Sequence, residues 1–84
     1  MNKPSISVVI VTRNRNKELS LCLKSILAQS QKIDEVVVVD NASSHRVKKT
    51  SSINVIRSET NLGGAGGRNL GLLHTTGQFI LFMD

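Results

Sequence analysis

The chain has 84 residues and a mass of 9.1 kDa, below the usual size of one domain, and its 39% hydrophobic residues with six glycines exclude intrinsic disorder. Eleven Lys and Arg against six Asp and Glu leave +5 at pH 7, a balance that attracts phosphate, but no Trp, no Tyr and only two Phe leave few stacking platforms, so no nucleic-acid partner is expected. No apolar run approaches the roughly 20 residues of a membrane span, the Met1-Asn-Lys-Pro4 start lacks a signal-peptide core, and Cys22 alone excludes an internal disulfide and a cysteine-rich zinc site, so a reducing, cytoplasmic location is expected.

In chain order, Ile6-Ser-Val-Val-Ile-Val11 is a β-branched apolar run closed by Thr12-Arg-Asn-Arg15, the pattern of a parallel strand buried on both faces. Leu19, Cys22, Leu23, Ile26 and Leu27 then form a helical apolar stripe, with Asn14 or Asn16 available as its N-cap. Glu35-Val-Val-Val-Val39 is a second apolar strand, closed by Asp40-Asn41. Residues 42–52, rich in Ser and Lys, read as a loop or short helix, and Ile53-Asn-Val-Ile56 as a short strand.

All six glycines lie between Gly63 and Gly77. The cluster Asn61-Leu-Gly-Gly-Ala-Gly-Gly-Arg-Asn-Leu-Gly71 predicts a helix running to about Thr76, with Gly77 at its C′ position. Gln78-Phe-Ile-Leu-Phe-Met83 is a third strong strand, followed by Asp84. The alternation of strands and helices predicts an α/β fold: a Rossmann-like, open, mostly parallel sheet of about four strands with flanking helices.

In such sheets ligands lie beyond the carboxyl ends of the strands, and three strands here end in polar residues: Thr12 to Arg15, Asp40-Asn41, and Asp84. The glycine cluster is not a dinucleotide fingerprint, because Gly64 and Gly66 are followed by Asn69 at the third position. Nor is it a P-loop, since Leu72-Leu73 follows Gly71 in place of Lys-Ser/Thr. It either presents free helix N–H groups to an anion, with Arg68 in the first turn, or permits close helix–strand packing. Asp40 either accepts hydrogen bonds from a ribose or base N–H, or caps the turn from Asn41 to Ser44. Arg13, Arg15 and Arg68 supply cations suited to a diphosphate. Cys22 reads as a core thiol, Lys48-Lys49 as a solvated face, and His45 and His74 lack partners at metal-ligand spacing.

Taken together, Ser7-Val-Val-Ile-Val-Thr-Arg-Asn-Arg15, Glu35-Val-Val-Val-Val-Asp-Asn-Ala-Ser43, Asn61 to Gly71 and Phe79-Ile-Leu-Phe-Met-Asp84 resemble, in order and spacing, the start of the family 2 glycosyltransferases, which have the GT-A fold. The Asn-Leu-Gly-Gly-Ala-Gly-Gly form is most similar to rhamnosyl- and galactofuranosyltransferases of bacterial surface polysaccharides. The resemblance implies that residues 1–84 are the donor-binding half of an inverting glycosyltransferase, using a UDP- or dTDP-sugar and a glycan or lipid-linked acceptor. It implies donor contacts from Thr12, Arg13, Asn14, Arg15, Asp40, Asn41, Asn61, Gly64, Gly67 and Arg68. Asp84 looks like the first aspartate of an Asp-X-Asp motif binding Mg²⁺ or Mn²⁺, with the general base beyond residue 84. Arg13 stands where many members have a base-contacting aromatic, and His45 where an Asp is frequent. A half-domain of this kind is expected to be inactive alone, to self-associate, and in the whole protein to lie in the cytoplasm or at the inner face of the membrane. The alternative from the residues is a non-catalytic nucleotide-binding or regulatory α/β module.

Overall fold

The computed structural model describes residues 4–29 and 33–83. Six elements follow one another: β1 (Ile6–Thr12), α1 (Asn16–Leu27), β2 (Glu35–Asn41), β3 (Asn54–Ser58), α2 (Gly63–Leu72) and β4 (Phe79–Met83). The strands form one parallel sheet in the order β3-β2-β1-β4.

The unbroken valine runs are explained by the two faces of this sheet. Side chains alternate along a strand, so a strand buried on both faces needs apolar residues at every position. Val8, Ile10, Val36 and Val38 point to one face, where Leu19 and Ile26 of α1 complete a buried cluster with Cys22, Leu23, Val47 and Ile53 packed around it. Val9, Val37 and Val39 point to the other, packed by Val11, Ile56, Ile80 and Leu70 of α2. Val8, Val9, Val37, Val38 and Val39 are wholly buried, each contributing about 1.5–3 kcal/mol over an exposed position.

Helix α2 approaches its face unusually closely. A methyl group at Gly67 would stand 2.6 Å from Val11 Cγ1, and one at Gly71 would overlap Val9 Cγ1 and crowd Val39. These two glycines therefore follow the packing alternative. Gly63 is different: a Cβ there would meet nothing within 4 Å, but its φ of 74° is left-handed, a conformation that glycine adopts without penalty.

Several local expectations change. The N-cap of α1 is Arg15, without a side-chain cap bond, because Asn14 is drawn away into a left-handed conformation (φ 55°). Residues 42–52 take the loop alternative, closed by an isolated Thr50–Ile53 bridge, and the strand expected at 53–56 runs instead over Asn54–Ser58. Helix α2 begins inside the glycine cluster and ends at Leu72, five residues before Gly77. Gly77 is instead needed for close approach: its N–H donates to Ser7 Oγ (3.0 Å), and a Cβ there would meet Ser7 Oγ and the Ser7 backbone nitrogen. The strand β4 lies at the sheet edge with Phe79, Leu81 and Phe82 exposed, and Leu73 follows α2 almost bare at 80%.

Candidate functional site

The strand order steps from β1 to β2 to β3 and then returns to the other side of β1 for β4. That reversal is the topological switch at which open α/β sheets bind ligands, beyond the carboxyl ends of their strands. Because the sheet is parallel, the ends of β1, β2 and β3 share one edge, with Thr12 level with Asp40 and Asp40 level with Arg57. A cleft of about 320 Å³ opens beside the end of β1, lined by Thr12, Arg13, Arg15 and Glu18 over the apolar floor of Ile10 and Cys22.

Asp40 is wholly buried. Its Oδ1 accepts from the Ser43 N–H (3.1 Å), and its Oδ2 from the Val47 N–H (2.9 Å) and Arg57 Nη1 (3.0 Å). Burial alone would push this carboxyl upward, but the hydrogen bonds from Val47, Ser43 and Arg57 outweigh it and hold Asp40 below the usual carboxylate range. The carboxylate thus caps the turn after β2 and neutralises a cation at the same time. Arg57 also donates from Nη1 to the Ser43 carbonyl (2.8 Å) and from Nε to Glu59 Oε1 (3.4 Å), and Glu59 in turn accepts from Arg46 (3.2 Å).

The neighbouring Asn41 is also buried and joins β2 to the glycine segment. Its Oδ1 accepts from the Leu62 N–H (2.8 Å), and its Nδ2 donates to the Gly63 carbonyl (3.1 Å). Asn61 Oδ1 accepts from the Gly63 N–H (3.0 Å), closing a side-chain turn immediately before α2. Leu62, the N-cap residue of α2, makes no side-chain cap bond, and the first turn is exposed, with the Arg68 guanidinium lying back over Gly64 (3.4 Å to the position a Cβ would take). On the β1 side the Asn14 N–H donates to Ser43 Oγ (2.9 Å), while Asn14 Oδ1 accepts from the Ser44 N–H (2.7 Å).

The anticipated residues thus fall on one edge but in two layers. Arg13, Asn14, Arg15, Asn61, Gly64 and Arg68 are exposed there, and Thr12, Asp40, Asn41 and Gly67 lie buried beneath them. Asp84 lies outside the described residues. Among the described residues no three His, Cys, Asp or Glu cluster as a metal site, and no helix is long and apolar enough to cross a membrane. His74 Nδ1 sits 3.1 Å from the Leu70 carbonyl, the position of a helix-end hydrogen bond. Cys22 is a half-buried free thiol packed against the core.

Arg57 is the residue that reading the sequence missed. Only half of the signal lay in the sequence: an aspartate ending an all-valine strand calls for a counter-charge, but the parallel register that puts position 57 beside it comes from the fold.

Comparison with known proteins agrees with this architecture. The family described as Glycosyl transferase family 2 matches residues 7–84, and the chain belongs to that family. An uncharacterized glycosyltransferase of Haemophilus influenzae is 36% identical over 94% of this chain, which spans 28% of that protein. Galactofuranosyltransferase GlfT1 of Mycolicibacterium smegmatis is 35% identical over 82% of this chain and 24% of its own length. The crystal structure of TarS from S. aureus superposes with a TM-score of 0.78 and 32% identity over 95% of this chain and 27% of that one. The four-stranded sheet with its flanking helices is thus the GT-A type of arrangement that the motifs anticipated. The chain spans about a quarter of the length of these relatives.

Proposed function

We propose that this chain is the donor-binding part of an inverting glycosyltransferase, which moves a sugar from a UDP- or dTDP-sugar to a glycan or lipid-linked acceptor. The observation that carries the reading is the convergence of Thr12 to Arg15, Asp40-Asn41 and the Asn61–Arg68 segment on one sheet edge at the topological switch. There the exposed Arg13, Arg15 and Arg68 offer charge-assisted donors for a diphosphate, and the exposed first turn of α2 beyond Gly63 adds backbone N–H groups. Thr12, as the resemblance implies, is assigned to the base and ribose, and the exposed Asn14 flanks it at the end of β1. Asp40, Asn41 and Gly67 act from beneath, holding the loops and the helix at their working distances.

Among the described residues of the exposed layer the arginines offer donors, the complement of an anionic ligand, and the resemblance assigns the oxygen ligand for a hard dication to Asp84 in the family motif. A Mg²⁺ or Mn²⁺ ion held by Asp84 and the donor phosphates would offset the charge of the leaving diphosphate. The general base that deprotonates the acceptor hydroxyl is assigned to the part of the protein beyond residue 84. Surface-polysaccharide synthesis in the cytoplasm, or at the inner face of the membrane, is the setting this reading implies.

Calorimetric titration of the whole protein with UDP-, dTDP- and GDP-sugars in the presence of Mn²⁺ tests it. Saturable binding of a UDP- or dTDP-sugar is expected, weakened about tenfold in Arg13→Ala or Arg15→Ala, the cost of one charge-assisted contact. Absence of binding to all three sinks the donor-site reading.

A further inference from the structure

We propose that Arg57 is a positioning residue for the donor site: through Ser43 it sets the backbone of Asn14, and with it the placement of Arg13 and Arg15. This rests on the reading of the carboxyl edge as a nucleotide-sugar site and adds a residue two strands away from the arginines it governs.

The relay is continuous. Arg57 Nη1 donates both to Asp40 Oδ2 and to the Ser43 carbonyl, while its Nε reaches Glu59. Ser43 is 1% exposed and uses each of its remaining polar atoms in the same structure. Its N–H donates to Asp40 Oδ1, and its Oγ accepts from the Asn14 N–H. The Ser44 N–H then donates to Asn14 Oδ1, so the 43–44 segment grips Asn14 at two atoms.

That grip has work to do. Asn14 has a φ of 55°, in the left-handed region that costs most L-residues about 1–2 kcal/mol and asparagine less, and the two hydrogen bonds from the 43–44 segment fix it there. The flanking Arg13 and Arg15 are both exposed and line the cleft at the end of β1. Their directions are inherited from the turn that Asn14 makes between β1 and α1. Glu59 and Arg46, at 66% and 69% side-chain exposure, form the solvent end of the network and add little.

A simpler role for Arg57 would be to neutralise the buried Asp40 and nothing more. The two roles differ in what lysine can replace. A lysine ammonium is a point charge able to pair with Asp40, but its Nζ ends one atom short of Nη1, the nitrogen that serves Asp40 and the Ser43 carbonyl together, so it keeps the charge pair and gives up the carbonyl. Neutralisation alone therefore predicts full rescue by Arg57→Lys, and positioning predicts rescue of stability without rescue of donor affinity.

The test compares the unsubstituted protein with Arg57→Lys, Ser43→Ala and the control Arg46→Gln. Three quantities are read: thermal stability, the backbone amide signals of Asn14 and Ser44 without ligand, and affinity for UDP- and dTDP-sugars with Mn²⁺. We expect the Asn14 and Ser44 signals to move in Arg57→Lys and Ser43→Ala, with donor affinity lowered about tenfold, while Arg46→Gln changes neither. Ser43→Ala keeps the Asp40–Arg57 pair, so it remains informative if the arginine variant unfolds. Unmoved amides in both variants overturn the relay, and moved amides with unchanged affinity overturn the positioning role. If the unsubstituted protein binds no donor sugar, the functional reading of the edge fails, and the amide signals alone then decide whether the relay exists.

Discussion

Asn41 clasps Gly63: its amide nitrogen donates to the Gly63 carbonyl at 3.1 Å, while its amide oxygen takes the preceding Leu62 N–H at 2.8 Å. One buried side chain thus aligns the carboxyl end of β2 with the first turn of α2, where the left-handed Gly63 redirects the chain. Asn41→Ala leaves two polar backbone groups without their partner and is expected to cost about 2 kcal/mol of stability. Gly63→Ala keeps the clasp but strains the backbone, costing about 1–2 kcal/mol. Urea unfolding of the two single variants and the double variant checks both. A double variant no worse than Asn41→Ala alone would show that the clasp enforces the turn.

The closeness of α2 to the sheet makes a second prediction. A methyl at Gly71 overlaps Val9 and crowds Val39, two wholly buried residues with nowhere to move. Gly71→Ala is expected to destabilise by about 1–3 kcal/mol despite the better helix propensity of alanine. Adding Val9→Ala should recover part of the loss by making room. A stabilised Gly71→Ala protein in the same unfolding measurement would refute the packing account.

Asp40 makes stability depend on pH in a defined direction. Its folded pKa is lowered from 3.8 because the hydrogen bonds from Val47, Ser43 and Arg57 outweigh the burial that opposes ionisation. The unfolded chain therefore binds the proton more readily, and the stabilisation is complete above the unfolded value of 3.8 and lost as pH falls through the lower folded value. Acid unfolding curves should show this loss below about pH 4. In Asp40→Asn that component of the acid limb should vanish, and at neutral pH the variant should be less stable, because Arg57 loses its ion pair and keeps only Glu59 and the Ser43 carbonyl. An Asp40→Asn protein with an unchanged acid limb would show that other carboxylates carry it.

The β4 edge predicts association of the chain. Phe79 (58%), Leu81 (50%) and Phe82 (45%) are exposed on a strand that, among the described residues, forms the outer edge of the sheet. Light scattering of residues 1–84 should show mass rising with concentration, and Phe82→Lys should reduce it. A stable monomer at high concentration contradicts the prediction.

Much of the fold was legible in the residues themselves. The valine runs at 8–11 and 36–39 announced strands covered on both faces, and the Leu19-to-Leu27 stripe announced α1, because burial imposes a period that composition must obey. The limits of α2 were less legible. A run containing five glycines has weak intrinsic helicity, and only the requirement for close sheet packing makes helix the best conformation there. Gly77 was misplaced for a related reason: its constraint is Ser7, seventy residues away in sequence and invisible to any local pattern.

Taken by itself, the sequence determined that this is a small basic α/β unit whose polar strand endings and single glycine cluster carry the features of one family, since strand period and motif spacing are local properties of the chain. The tertiary structure decided how those polar residues divide the labour. Parallel pairing set Arg57 beside Asp40 and brought Asn41 against Gly63, so the buried members spend their hydrogen bonds on the protein while Arg13, Arg15 and Arg68 remain exposed. The physical reason is that a buried polar group must be satisfied by whatever the fold brings within reach, and reach is set by the register of strands distant in sequence.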